Sequence, residues 1–438
     1  MKLKALIFLI IIILISVNTS VYSEDKEVKL KDNEYNASES CAECHLDIYN
    51  KWKDSVHAMS VDDPIFYTSY IEAYTISSGQ AKTLCLKCHA PIVLVTKDYE
   101  LKNRLSREGV SCDFCHTLKG VKLNDRRDPF IRDIGPVKRG PLDAVKVEGH
   151  KIEYSKLHLS SELCAACHEY VSDNGLSIMG TYSEWKASSY AAEGKQCQNC
   201  HMPRIEGEIS KTSNQKRIIN DHNLQGGHSI VQLKKTLLVK IKEIKRVKDG
   251  VSVSVSVENT GSGHMVPTGI PTRKLILNCE VRTVKNKVFN DKRVFEKIIA
   301  GKNGEEMVKD SEIMLGMGAA IAKDNRIGPK EVRVEEFIFG IPGNMDISVS
   351  ACLVGAPNFQ LRNWTFIGNL KFGEPTKVGR GNFLCAFVSW WLKISIHEQN
   401  FRGYNKRGNL RRQQKVIFKY LHSYFLGGCF RRDYLSCA

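Results

Sequence analysis

The pattern Cys-x-x-Cys-His occurs five times between Cys41 and His201: CAECH from 41, CLKCH from 85, CDFCH from 112, CAACH from 164 and CQNCH from 197. Each copy sets two thiols three residues apart and an imidazole directly behind the second. A disulfide framework gives no reason for that histidine. A zinc ribbon takes cysteine pairs two at a time, which leaves one of five pairs over. Covalent haem attachment uses all three side chains, because the thiols add to the two vinyl groups and the next residue is held under the iron as its ligand. The spacing therefore predicts five c-type haems on Cys41 and Cys44, Cys85 and Cys88, Cys112 and Cys115, Cys164 and Cys167, and Cys197 and Cys200. His45, His89, His116, His168 and His201 are the expected iron ligands.

A chain of 438 residues, 42% hydrophobic and 26% charged, has room for two or three domains. The stretch from Ser40 to His228 is too short to wrap five cofactors around a separate protein core, so the haems themselves are expected to be the core. Short helices fit around them, with capping boxes expected at Ser40 with Glu43 and at Thr181 with Glu184. An internal echo is visible too: YNKWKDSVH (49–57) and YSEWKASSY (182–190) share Tyr-x-x-Trp-Lys-x-Ser. Only the first copy ends on an imidazole, His57; the second ends on Tyr190.

Eight histidines lie outside the motifs. His57 follows His45 by twelve positions, about 18 Å if helical, too far to cap the same haem, so it is expected to serve another. His158 is expected to do likewise, with His150 as its nearest competitor. His222 and His228 flank a glycine pair that lets backbone approach a flat cofactor. His264 sits in GSGHMVPTG, a loop that can present a side chain outward, and Met265 beside it is a second possible ligand. If His264 reaches a haem, every iron is expected to have two imidazoles and to be low spin; if not, one iron is left open.

Beyond Gln232 the pattern turns to period two, as in VSVSVSV (251–257), and several short strands with turns between them predict a β-sandwich. Cys279 and Cys352 lie in such runs and read as buried small hydrophobes, with a disulfide between them as the alternative. The expected class is α+β, organised as a signal peptide (1–23), a mainly helical and loop pentahaem domain (24–232), a β-sandwich (233–373) and a basic tail (374–438). Residues 375–438 hold 12 Lys and Arg against 2 Asp and Glu, which supplies +10 of the formal +16. The tail is read as an accretion, or else as a membrane-surface or partner-binding segment. Without the tail and the signal peptide the chain carries +4, and haem propionates are expected to bring it near neutral, which argues against a nucleic-acid partner. The basic start, the apolar run Ala5 to Val17 and the small residues before Glu24 predict export.

CAECHLDIYNKWKDSVHA, SELCAACHEY, TYSEWKASSYAAEGKQCQNCHMP and NTGSGHMVPTGIPTRKLIL resemble the multihaem cytochrome c family that includes the tetrahaem electron acceptor of hydroxylamine oxidoreductase. The resemblance covers residues 40 to about 360. It implies closely stacked haem pairs and periplasmic electron transfer between redox proteins, although five motifs exceed the four of the named member. The expected function is an exported pentahaem electron carrier in anaerobic or nitrogen-cycle respiration. Two alternatives stand beside it: an enzyme acting on nitrite, hydroxylamine or nitric oxide at one open iron, and a subunit of an extracellular haem filament.

Overall fold

The computed structural model describes residues 34–142, 149–211, 216–227, 229–342, 345–356 and 363–370. The predicted signal peptide, His228 and the tail from 374 lie outside them. Among the described residues no helix is long and apolar enough to cross a membrane.

The first part is built from short helices, each ending on or beside a haem-attachment motif: Ser38–Ala42, Ala81–His89, Cys112–His116, Glu162–His168 and Cys197–His201. Helical geometry puts residues three apart on one face, so both thiols of a motif project together. Ser111 caps the third motif by accepting from the Phe114 N–H, and Gln196 with Asn199 forms a capping box on the fifth. The two boxes expected from sequence are not the helix starts. The first helix begins at Ser38 with Ala37 as its cap, which puts Ser40 inside it. The other runs Thr181–Lys186 behind Gly180, and the Thr181 and Glu184 side chains bond elsewhere.

Among the described residues the first part also carries four small sheets. They pair β1 (Leu118–Val121) with β2 (Phe130–Arg132), β3 (Val137–Gly140) with β4 (Lys151–Tyr154), β5 (Glu169–Val171) with β6 (Ser177–Gly180), and β7 (Arg204–Glu208) with β8 (Lys216–Asn220). All are antiparallel except β3 with β4.

The second part has three sheets. β9 (Leu237–Val247), β10 (Gly250–Asn259) and β15 (Val332–Phe339) form one, ordered β15-β10-β9. β11 (Lys274–Thr283), β12 (Val288–Phe295), β16 (Ile347–Ala356) and β17 (Asn363–Leu370) form the second, ordered β12-β11-β16-β17; β13 (Lys297–Ala300) pairs with β14 (Ala320–Asp324). The two larger sheets share one apolar core, from Val239, Val253 and Phe337 to Leu277, Val281 and Val349. The period-two reading of β10 holds for its valines. Its serines are covered too, Ser252 and Ser256 each at 6% exposure, because β10 is the central strand.

Cys279 is fully buried and Cys352 half-buried, both as free thiols. Asn278 pairs with Cys352 and Cys279 with Ala351, so the two cysteines point to opposite faces of the sheet. That geometry rules out the alternative disulfide.

The two parts are joined by an apolar contact of Ile178 on β6 with Ile299 on β13 and Ile313. All three are 0% exposed, and burial of this kind stabilises by about 1.5–3 kcal/mol per side chain. The Lys297 ammonium donates to the Ser177 carbonyl at 2.7 Å, and the Tyr170 hydroxyl to the Met314 carbonyl at 3.0 Å.

Candidate haem-binding site

All ten motif cysteines and their five histidines line a single cavity of about 2300 Å³. A pocket for one small ligand holds roughly 300–1,000 Å³, so this space suits several large cofactors.

Four of the five motif imidazoles are oriented by a backbone carbonyl. Nδ1 of His45 lies 2.5 Å from the Ile209 oxygen, that of His89 2.9 Å from Ser60, that of His116 2.6 Å from Arg139 and that of His201 2.6 Å from Gln225. An Nδ1–H donated to a carbonyl fixes the tautomer and leaves the Nε2 lone pair for a metal. The small sheets matter here: Arg139 lies on β3, and Ile209 directly follows β7.

Four of these imidazoles face another. Ring centroids are 6.0 Å apart for His45 and His150, 6.1 Å for His57 and His168, 6.4 Å for His116 and His222, and 6.3 Å for His201 and His264. Two metal–nitrogen bonds of about 2 Å plus two ring radii of about 1 Å give about 6 Å, so each pair has the spacing of imidazoles on opposite sides of one metal ion. His222 donates Nδ1–H to Asn220 at 2.8 Å and His264 to Met265 at 2.9 Å, which again leaves Nε2 free. His57 has a buried Nδ1 without a partner. Its backbone is pinned by Gly109, where an added Cβ would stand 2.4 Å from the His57 oxygen.

Burial favours the neutral form, the one that binds metal, at His57, His168 and His222. Burial first, then the neighbouring imidazoles, pushes His57 down to about 4 and His168 down to about 3. Burial and His116 push His222 down to about 4.

His158 and His89 are arranged differently from these four. His158 lies 5.5 Å from His116, its Nε2 3.0 Å from the Cys115 carbonyl and its Nδ1 buried without a partner, so two rings, His158 and His222, stand near His116, while His150 faces His45. Among the described residues no second imidazole faces His89, whose ring instead stacks on Phe66 at 3.6 Å. Met265 also lines the cavity, with its sulfur near Gly328.

The thiols show which attachment points adjoin. The Cys41 thiol lies beside that of Cys112, Cys88 beside Cys167, and Cys164 beside Cys197. Motif one is thus beside motif three, and motif four is beside both motif two and motif five.

Paired thiols, carbonyl-oriented imidazoles and a cavity of this size fit haem c, the group that multihaem cytochromes c carry. Within that class, residues 40–117 match the family described as cytochrome c554 and c-prime. The whole fold is similar to the crystal structure of a penta-heme cytochrome c552 from Thermochromatium tepidum, with a TM-score of 0.60 and 23% identity over 74% of this chain and 92% of that one. No curated protein matches the chain.

Proposed function

We propose that the chain is an exported electron carrier with five haems, one per motif, and that the strand-rich part from about 233 is a β-sandwich docked on the haem domain. The observation that supports this best is the set of four imidazole pairs at metal-bridging distance inside one cavity whose attachment thiols adjoin. His45 with His150, His57 with His168, His116 with His222, and His201 with His264 would each hold one iron. Haem supplies the one-electron couple when bound; the chain orients the ligands and sets the spacing between neighbouring cofactors. The partners are other redox proteins, met outside the cytoplasm.

The enzyme reading is supported by His89, which no described imidazole faces. An iron held there on one side only could bind a small nitrogen oxide.

Intact mass of the exported holoprotein should show five haem additions. Electron paramagnetic resonance with carbon monoxide titration of the reduced form should show four low-spin haems and one that binds carbon monoxide. Turnover of nitrite or hydroxylamine at that haem would replace the carrier reading with the enzyme reading. Two or more carbon monoxide sites would break the ligand pairing.

A further inference from the structure

The two copies of Tyr-x-x-Trp-Lys-x-Ser fold alike. Tyr49 and Trp52 have ring centroids 5.7 Å apart, and Tyr182 and Trp185 5.5 Å apart. Lys53 lies 5.8 Å over the Tyr49 ring, and Lys186 5.8 Å over Tyr182. Each indole N–H donates to a carbonyl further along the chain, Trp52 to Val110 at 2.9 Å and Trp185 to Lys195 at 2.8 Å. The first copy then delivers its own imidazole, His57, to face His168.

The second copy has Tyr190 at the matching position, and that residue binds a loop from the strand-rich part. Its hydroxyl donates to the Thr260 carbonyl at 2.8 Å. The loop backbone lies directly on the copy: a Cβ on Gly263 would stand 3.2 Å from both Trp185 and Tyr190. Gly263 precedes His264.

Glu184 holds the other side of this loop. Its carboxylate accepts from the Met265 N–H at 3.2 Å and the Thr268 hydroxyl at 2.7 Å, and pairs with Arg326 at 2.7 Å. Thr268 also meets Thr181 at 2.9 Å. Arg326 is itself anchored by Asp324 through two contacts of 2.8 Å, and is 8% exposed. Removing one partner of a buried, hydrogen-bonded charge pair strands the other, so the loop and the helix are held to one geometry.

We infer that the second copy is a socket for an imported ligand: Glu184, with Tyr190 behind the loop, positions His264 against the haem of the fifth motif. The copy that lost its own histidine is completed by one from the strand-rich part. This rests on the reading of His264 as that haem's second ligand.

The test uses the holoprotein and three variants, H264A, E184A and E184Q, read by electron paramagnetic resonance, carbon monoxide stoichiometry and thermal melting. H264A should gain one high-spin, carbon-monoxide-binding haem per chain over the parent. E184A should gain the same haem with all haems still attached, and added imidazole should return it to low spin. E184Q keeps an oxygen for the Met265 N–H and the Thr268 hydroxyl, so it should stay close to the parent. A purely structural glutamate would lower the melting temperature without changing the spin count. If H264A gains a haem and E184A does not, the positioning role is overturned while the ligand reading stands. If H264A gains none, both fall.

Discussion

Asp113 lies between the two cysteines of the third motif and is 1% exposed. Its carboxylate accepts from the Asn36 backbone N–H at 2.7 Å and side-chain amide at 3.3 Å, and forms an ion pair with Lys138. These contacts tie the segment before the first motif, the third-motif helix and β3, which carries the Arg139 carbonyl that orients His116. Asp113→Ala leaves the Lys138 side chain, 12% exposed, without its counter-charge and the Asn36 N–H without an acceptor. Breaking a buried pair from one side costs about 3–5 kcal/mol; the lost hydrogen bonds are part of that figure, since contacts in one network do not add. At about 2 °C per kcal/mol for a chain of this size, the melting temperature should fall by roughly 5–10 °C. Asp113→Asn keeps an acceptor for Asn36 and loses only the charge, so its cost should be smaller, about 1–3 kcal/mol. The assay is thermal unfolding of the two holoprotein variants beside the parent, with haem content checked by mass. A D113A melt within about one degree of the parent would refute the reasoning, and so would a D113N melt lower than that of D113A.

Three further outcomes are expected. His57→Ala should convert the haem of His168 to high spin with all haems still attached, seen by electron paramagnetic resonance. If His222 is the partner of His116, as proposed, His158→Ala should leave the spin count unchanged; a new high-spin signal would make His158, whose buried Nδ1 has no partner, the ligand instead. Burial raises the Glu108 carboxyl above its ordinary range, against the Ser38 backbone and side chain. The native state therefore binds this proton more tightly than the unfolded one, and stability is lost as pH rises from about 4.3 through the raised value. E108Q removes that loss, so its advantage over the parent in denaturant melts should be small in acid and larger at neutral pH.

The five thiol pairs and the histidines behind them can be read as one repeated kind of site because porphyrin chemistry would fix such a spacing locally; their gathering around one cavity comes from the fold. The partner imidazoles were less legible, because their selection is made by tertiary contacts. His57, His158, His222 and His264 each lie near a motif histidine, and so does His150. Sequence distance could not show that His158 and His222 would meet at the same ring, His116, while His150 reaches His45. Thr181 and Glu184 have the spacing of a capping box, yet their side chains bond a loop more than eighty residues away, and no local rule encodes that use. In the strand-rich part the valine alternation identified β10, while the burial of its serines depends on strands pairing on both of its edges.

The buried apolar clusters are distributed unevenly. Two larger sheets share twenty-two buried side chains in one cluster, while the haem-binding part has separate clusters of seven and six around the large cavity. The sheets can close on their own hydrophobic interior without a cofactor. On the proposed reading the helices would pack against haem instead, so attachment would have to reach an extended segment and collapse would follow loading. His57 precedes the fourth motif and His264 follows all five in the chain, so on that reading the strand-rich part, able to fold alone, would be the piece that closes the first part.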